Sequence, residues 1–447
     1  MTEKRKRKLA MPDTLIIVAS VVLLVAILSW IIPSGTYDYQ EMDINGRVRN
    51  VAIDGTYHTI DKTEVTTTGF LGFFSVLYRG CVEAADVIFM ILCCCGTFGV
   101  VVKTGAFHAG IGTILKKLKG KEILLVPIIM LIFGLGGSVF GMASEFYGFY
   151  PLIVGLGVAL GYDAMFGFAI IAVGEFVGFM GATLNPYSVG IAQTISGVEL
   201  YSGTGYRAIC FSIFMLISIV YVMLYGRKIK KNPGASVVFG EKNIHAFDRD
   251  ELNEYSFTLK DGLVLLDVLV VLVVLMLGLI KWGWDFPQLC GLFLLMSMIA
   301  TAICKWSPNK WCSEFIDSAK TAMWGCILTG IAKAITVVMQ DAQIMDTVIY
   351  GLSNVLKNAP HAVSAQVMLV VQTLINFFIP SATGQASATM PIMAQLADII
   401  GVSRQTAVLA FQFGDGLSNI FWPTADIVII CGLGGISLQK WYKWFTP

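Results

Sequence analysis

Gly134-Leu-Gly-Gly-Ser-Val-Phe-Gly-Met-Ala-Ser-Glu145 interrupts the apolar segment from Leu124 to Leu160 with glycine, serine and a carboxylate. A helix that crosses a bilayer needs about 20 apolar residues, and each arm beside this stretch is shorter. The basic clusters at 116–121 and 227–231 should both be cytoplasmic. An even number of crossings between them requires the segment to enter and return. We therefore predict a re-entrant hairpin with this stretch as its tip.

A second segment near the C-terminus repeats this pattern. An arm from Val363 to Phe378 leads to the tip Ile379-Pro-Ser-Ala-Thr-Gly-Gln-Ala-Ser387, and a return arm runs from Pro391 to Ile400. Ser138-Val-Phe-Gly-Met-Ala-Ser144 in the first tip resembles Ser381-Ala-Thr-Gly-Gln-Ala-Ser387 in the second. The sequence thus predicts two re-entrant hairpins in an internal repeat.

A long apolar helix with an interruption follows each predicted hairpin. The first runs from Gly161 to Gln193, with a break at Gly181-Ala-Thr-Leu-Asn-Pro186. The second runs from Gly401 to Cys431, with breaks at Gly414-Asp-Gly-Leu-Ser-Asn419 and Trp422-Pro-Thr424. Five predicted crossings separate the halves, which therefore have opposite orientations. Inverted repeats with discontinuous helices are typical of secondary transporters.

The composition of the whole chain agrees with a membrane location. The 447 residues are 56% hydrophobic and 14% charged, which is too apolar for an ordinary soluble protein. The clearest predicted spans are Thr14 to Ile32, Val87 to Val102, Ile209 to Tyr225 and Leu263 to Ile280. We expect an all-α integral membrane protein with about eight transmembrane helices, two re-entrant hairpins and two broken helices. The first helix follows a basic stretch, Lys4 to Lys8, without a cleavage pattern, so both termini should be cytoplasmic.

These features divide the chain into five predicted regions. They are scaffold helices and an outside loop (1–122), the first transport repeat (123–225), a cytoplasmic linker (226–260), a second scaffold part (261–360) and the second transport repeat (361–447). The net charge of +1 gives no reason to expect nucleic acid as a partner. No combination of nucleophile, base and orienting group is evident, so we expect neither an enzyme nor a bound cofactor.

Irregular backbone at membrane depth is tolerated only where protein or a water-filled cavity satisfies its polar groups. Two tips and two breaks should therefore meet each other or line a site, although each could be a kink with self-capped ends. The candidate substrate-binding residues are Ser138, Gly141, Ser144, Glu145, Glu175, Thr183, Asn185, Asn376, Ser381, Thr383, Gly384, Gln385, Ser387, Asp415, Ser418, Asn419 and Thr424.

Carboxylates within these apolar segments are the most informative candidates, because their burial is costly without a partner or a function. Lys333 lies in an apolar helix and is a candidate counter-ion or coupling residue. Freed carbonyls and polar side chains also suit Na⁺, and the predicted positions for it are near Ser144, Asn185, Ser387 and Asn419. Either Na⁺ or H⁺ could be the coupling ion.

Three strings support a family resemblance: Asn376-Phe-Phe-Ile-Pro-Ser-Ala-Thr-Gly-Gln-Ala-Ser-Ala-Thr-Met-Pro-Ile-Met393, Gly401-Val-Ser-Arg-Gln-Thr-Ala-Val-Leu-Ala-Phe-Gln-Phe-Gly-Asp-Gly416 and Asn185-Pro-Tyr-Ser-Val-Gly-Ile-Ala-Gln-Thr-Ile-Ser-Gly197. The chain resembles the YfcC-like basic amino acid antiporters and the DcuC-like C4-dicarboxylate carriers of the ion transporter superfamily. The resemblance implies a homodimeric elevator carrier in a bacterial cytoplasmic membrane. It further implies exchange of arginine and ornithine, or uptake of a carboxylate with Na⁺ or H⁺.

Two readings of the substrate follow. Glu145, Glu175 and Asp415 outnumber the single Lys333 and favour a cationic amino acid. The alternative is a Na⁺- or H⁺-coupled symporter of C4-dicarboxylates or another small organic anion. The Ser-Asn-Thr of superfamily tips is replaced by Ser144-Glu145 and by Ser381-Ala-Thr383, so a dicarboxylate site does not carry over directly. A channel is a further class, but hairpins that meet at the midplane would close its pore.

Overall fold

The computed structural model describes residues 13–44, 47–118, 122–241, 245, 256–357 and 363–447. Its helices in these ranges are α1 (Thr14–Ile31), α2 (Phe70–Glu83), α3 (Ala85–Lys103), α4 (Ala106–Leu118), α5 (Leu125–Leu135), α6 (Phe149–Ala159), α7 (Ala164–Met180), α8 (Val189–Ile195), α9 (Thr204–Lys231), α10 (Leu259–Lys281), α11 (Phe286–Ile303), α12 (Pro308–Lys320), α13 (Met323–Asp341), α14 (Met345–Lys357), α15 (Ser364–Phe378), α16 (Ala382–Ile399), α17 (Arg404–Asn419), α18 (Asp426–Leu433) and α19 (Leu438–Phe445). Its strands are β1 (Ser34–Thr36), β2 (Tyr39–Ile44), β3 (Arg47–Ala52) and β4 (His58–Ile60).

Six of the described helices are long and apolar enough to cross a membrane: α1, α3, α9, α10, α11 and α13. They include the four clearest predicted spans and fall short of the predicted eight. Large apolar side chains on α9, such as Leu216 and Ile217, are more than 60% exposed, as expected of a face that lies against lipid. Local capping sets some helix ends: Thr258 and Asp261 form a capping box at α10.

Each predicted hairpin segment contains a pair of helices, α5 with α6 and α15 with α16. Between α5 and α6 the chain makes one π-helical segment, turns at Gly141 in a left-handed conformation (φ +70°) and continues as a short 3-10 helix, Ser144–Phe146. Between α15 and α16 the turn is only Ile379–Ser381, so the second tip is shorter than predicted. The re-entry of these pairs into a bilayer stays a prediction.

The first broken helix agrees with the sequence, and the second agrees at Trp422-Pro-Thr424 but not at Gly414 to Asn419. Helix α7 ends at Met180 and α8 begins at Val189, which encloses the predicted break. Helix α17 continues through Gly414 to Asn419, and the interruption is instead Ile420 to Ala425. Pro423 lies inside it and cannot continue a helix because it has no N–H group.

Gly414 has a packing role that its sequence context did not reveal. A Cβ atom added to it would lie 2.8 Å from the Gln372 Cβ of α15 and 3.0 Å from the Leu369 carbonyl oxygen. Absence of a side chain therefore lets α15 and α17 approach closely. Helices α5 and α7 form the equivalent pair in the first repeat.

The remaining long helices pack mainly on one another. Helices α1 and α2 contact α13, while α11 and α12 contact α3, and α10 contacts α4 and α11. Thr321 and Ala322 separate α12 from α13. Helix α2 was not predicted. The division into scaffold and transport parts stays a prediction.

The predicted outside loop contains four short strands, a local addition to an otherwise helical chain. Strands β1 and β4 pair antiparallel, as do β2 and β3. The buried Asp346 of α14 anchors them: its carboxylate accepts hydrogen bonds from the Tyr39 hydroxyl at 2.7 Å and the Tyr37 amide at 3.0 Å. Burial and the adjacent Asp346 raise the pKa of Tyr39, so its hydroxyl stays protonated and acts as the donor. The loop is thus fixed to the helices.

Candidate functional site

The tip of the first hairpin contacts both helix breaks. At the first break, Gly141 approaches Asn185 so closely that an added Cβ would lie 2.3 Å from the Asn185 Oδ1. At the second break, the Tyr147 hydroxyl donates to Asp426 Oδ1 at 3.2 Å. Asp426 is the first residue of α18, directly after the second break. The first hairpin therefore contacts both breaks.

The second hairpin also contacts both breaks. The Thr383 hydroxyl donates to the Tyr187 carbonyl at 2.9 Å, just after Asn185 in the first break. The Thr424 hydroxyl of the second break donates to the Phe377 carbonyl at 2.8 Å. The expectation that two tips and two breaks meet is confirmed by these contacts.

The carboxylates of the first repeat are buried near this junction. Glu175 is fully buried in α7, and its Oε2 accepts a hydrogen bond from the Tyr150 hydroxyl at 2.7 Å. Its Oε1 has no hydrogen-bond partner among the described residues. Glu145 lies in the tip itself, where its Oε2 accepts from the Ala143 amide at 3.0 Å.

Asp415 is the corresponding buried carboxylate of the second repeat. Asn376 of α15 donates to Asp415 Oδ1 at 2.7 Å and to Asn419 Oδ1 at 3.3 Å. Within the described chain, Asp415 Oδ2 has no partner. The neighbouring Ser418 hydroxyl donates to the Gly414 carbonyl of its own helix at 2.6 Å. Each broken helix therefore carries one carboxylate with a free oxygen.

Residues 11–447 match the family described as DcuC, C4-dicarboxylate anaerobic carrier. This chain belongs to the DcuC family. A relative from Escherichia coli (strain K12), named "Putative basic amino acid antiporter YfcC", is 32% identical over 98% of this chain and 94% of its own length. An uncharacterised protein of Haemophilus influenzae (strain ATCC 51907 / DSM 11121 / KW20 / Rd) is 27% identical over 99% of this chain and 95% of its own length.

Two solved transporter structures are also similar to this DcuC-family chain. The Alcanivorax borkumensis YdaH transporter has 15% identity and a TM-score of 0.43, and covers 98% of this chain and 95% of its own. Neisseria gonorrhoeae MtrF has 16% identity and the same TM-score, over 98% and 92%. Family membership and six apolar helices of sufficient length identify a multi-pass membrane transporter of a small molecule, as the sequence predicts.

Ser138 and Thr183 join the first tip of this DcuC-family chain to the first break. The Thr183 amide donates to the Ser138 carbonyl at 2.9 Å, and their hydroxyls lie 3.1 Å apart. Arg207, which the sequence did not single out, is buried in α9 and donates to the carbonyls of Ala182 (2.9 Å) and Thr183 (3.0 Å). Both carbonyls belong to the first break, just after α7 ends at Met180. Its only sequence signal is an arginine within an otherwise apolar helix.

Glutamines stabilise the second hairpin. Gln385 donates to Gln372 Oε1 at 2.7 Å, and Gln372 donates to the Thr389 hydroxyl at 3.1 Å. Ser387 donates back to the Thr383 carbonyl at 2.9 Å. Gln385 thus links the two arms of the hairpin.

The predicted Na⁺ positions are not drawn together by direct contacts. In the described part of the chain, no hydrogen bond joins any two of Ser144, Asn185, Ser387 and Asn419. A sodium site built from these residues therefore stays a prediction.

Lys333 lies apart from the carboxylates. It lines a cavity of about 440 Å³ with Ser381, Thr383, Gly384 and Ser387 of the second hairpin. Across the described residues it has no carboxylate within 4.0 Å, so the structure gives it no counter-ion. Its coupling role stays a prediction.

Proposed function

We propose that this chain is a secondary active transporter that exchanges basic amino acids of the arginine and ornithine type. The observation that carries the proposal is the pair of buried carboxylates on the broken helices, Glu175 and Asp415. Each has one oxygen without a partner among the described residues. A buried charge is costly unless an opposite charge or a proton neutralises it. A cationic substrate supplies that charge, as would a coupling Na⁺ or H⁺.

The buried arginine does not already neutralise these groups. Arg207 uses its guanidinium on backbone carbonyls and the Thr204 hydroxyl, and no described salt bridge involves it. The name of the Escherichia coli relative, which specifies basic amino acids, points to the same class of substrate.

We further propose an elevator mechanism. The tips and breaks hydrogen-bond to one another, which supports movement of hairpins and broken helices as one unit against the α1–α4 and α10–α14 helices. By resemblance, the carrier works as a homodimer in a bacterial cytoplasmic membrane. Basic residues at the end of α9 and before α12 support cytoplasmic ends for those helices and for both termini.

The alternative is a symporter of C4-dicarboxylates or another organic anion. The family description favours it. So does the cavity at the second tip, whose described lining residues include Lys333 and no carboxylate. Na⁺ or H⁺ at Glu175 and Asp415 would then compensate the charge of the anion.

Counterflow in proteoliposomes separates the two candidates. Vesicles loaded with unlabelled arginine or ornithine should accumulate external labelled arginine, because exchange needs a substrate on both sides. Vesicles loaded with succinate should not. Protein-free vesicles control for leak, and repeating the assay with and without Na⁺ identifies ion coupling. Accumulation of labelled succinate without any exchange of arginine would replace the proposal with the alternative.

A further inference from the structure

The cavity beside Lys333 has three walls from separate parts of the chain. One wall is α13, one is the tip of the second hairpin, and the third is the β2–β3 pair of the N-terminal segment. Its volume of about 440 Å³ lies within the range of small-molecule sites, about 300–1,000 Å³. Its polar lining residues are Tyr39, Asn50, Lys333, Thr336, Gln340, Ser381, Thr383 and Ser387.

The α13 wall offers a cation and a free hydroxyl. Lys333 is half-buried, and its ammonium has no hydrogen bond or ion pair within the described chain. Thr336 is one turn further along the same face and only 7% exposed. Its hydroxyl likewise has no described partner, although helical threonines commonly bond to a carbonyl of the preceding turn. Both groups are therefore available to a ligand.

The tip wall is the N-terminal end of α16. Ser381 caps this helix: its hydroxyl accepts from the Gly384 amide at 3.3 Å, and its carbonyl accepts the first intrahelical bond from Gln385. The amides of Ala382 and Thr383 precede that bond and point out of the helix end. Such an end carries partial positive charge and binds anions.

The strand wall is held in place from α14. Asp346 fixes the Tyr39 hydroxyl at 2.7 Å, and Asn50 is opposite Glu41 in the β2–β3 register. No Asp or Glu is among the lining residues that the structure describes, and Lys333 and the helix end supply the positive charge there. Thr383 both lines the cavity and donates to Tyr187, which places the cavity at the junction of tips and breaks.

We propose that this cavity binds the carboxylate group of the transported substrate, with Lys333, Thr336 and the α16 amides as its donors. The assignment rests on the proposed function, in which Glu175 and Asp415 take the cationic end of an amino acid. The N-terminal strands thereby form part of the binding site.

Arginine and agmatine test this directly, because agmatine is arginine without its carboxylate. Thermal stabilisation of the full-length protein in nanodiscs is titrated with each ligand, for wild type, Lys333→Met and Thr336→Val. Lys333→Met should weaken arginine binding about ten-fold or more, the usual loss for a charged hydrogen bond, and leave agmatine within about two-fold. Thr336→Val should act in the same direction and less strongly. Lys320→Met, an exposed lysine of α12, is the control and should change neither.

The outcomes separate this inference from the proposed function. If wild type binds arginine and Lys333→Met loses arginine and agmatine equally, or loses neither, the carboxylate site is wrong and the exchanger stands. If wild type binds neither arginine nor ornithine, the exchanger is wrong, and succinate becomes the probe. Succinate binding that Lys333→Met weakens would keep the carboxylate site. Unchanged or absent succinate binding would overturn it as well.

Discussion

The two hairpins share a packing frame and differ in charge. In each repeat, the first arm lies against its own broken helix at a glycine: Gly178 of α7 meets Gly134 of α5, and Gly414 of α17 meets Gln372 of α15. The carboxylates Glu175 and Asp415 lie beside these contacts on the broken helices. The internal repeat is therefore clearest where backbones pack.

The tips have diverged from this common frame. The first tip contains Glu145, and the residues after it bring two tyrosine hydroxyls to carboxylates, those of Tyr147 and Tyr150. The second tip has no carboxylate and opens on the cavity of Lys333. This contrast supports a site with a cation-binding side and a carboxylate-binding side. An amino acid with a charged side chain has both groups.

Substitutions at the glycines of the shared packing frame should have the largest effect, a loss of stability. A Cβ at Gly178 would lie 2.1 Å from the Gly134 carbonyl oxygen, which is backbone and cannot turn aside. We expect Gly178→Val to destabilise the protein by about 3 kcal/mol, the upper part of the usual range for overpacking. Gly414→Val should cost less, because the nearest atom to its added Cβ, the Gln372 Cβ, is 2.8 Å away.

Thermal unfolding of the purified variants, followed by size-exclusion chromatography, measures both effects. Gly291→Val in α11 is the matched control, since nothing lies within 4 Å of an added Cβ there. Equal stability of Gly178→Val and Gly291→Val would show that the first arm does not rest on α7 as described.

Removing the charge of Glu175 or Asp415, the corresponding carboxylates of the two repeats, should have the next largest effect, a loss of transport. Glu175→Gln keeps an acceptor for Tyr150, and Asp415→Asn keeps an acceptor for Asn376, so both variants remove charge with little change in shape. We expect each to lower arginine counterflow about ten-fold, because a charged interaction with a buried group is worth about 1.5–3 kcal/mol.

Asp317→Asn is the control for charge removal, since Asp317 is exposed and pairs with Lys320 at 2.8 Å. Its counterflow should match wild type. Full activity of both Glu175→Gln and Asp415→Asn would remove the carboxylates from the site and leave the packing frame as their only common feature.

The sequence was most informative where spacing alone determines structure. The length of the arms predicted both hairpins, and Gly181 to Pro186 located the first break. Glycine was misleading at Gly414, because the same residue permits either a turn or a close helix contact. In the second broken helix the proline, not the glycines, marks the interruption.

Contacts between distant segments could not be predicted from local pattern. Tyr150 and Glu175 are 25 positions apart, and Tyr147 reaches Asp426 across 279 positions. The short strands of the outside loop show little alternation of apolar and polar residues. Hydrogen bonds to Asp346 hold them in position. Lys333 was a candidate counter-ion because a buried lysine favours an adjacent carboxylate. Its helix instead places it in the cavity at the tip of the second hairpin.

The smallest expected effect is on the pH dependence of stability, through His245 beside the first hairpin. His245 of the linker lines a cavity of about 280 Å³ with Pro151 and Leu152 of α6, and with Lys103 and Asp317. The second hairpin is covered instead by β2 and β3. Burial lowers the pKa of His245 to about 4. The hydrogen bond from Lys320 lowers the pKa of Asp317, so Asp317 stays ionised throughout this range.

Because the folded protein holds His245 neutral, the unfolded chain binds more protons between about pH 6.5 and 4. Its contribution is fully present above pH 6.5 and is lost as pH falls towards 4, by about 1 kcal/mol at pH 5.5. His245→Gln should therefore reduce the drop in melting temperature between pH 7.5 and 5.5. His58→Gln, which changes an exposed histidine of β4, should leave that drop unchanged. An equal drop in wild type and His245→Gln would mean that His245 is not buried beside the first hairpin.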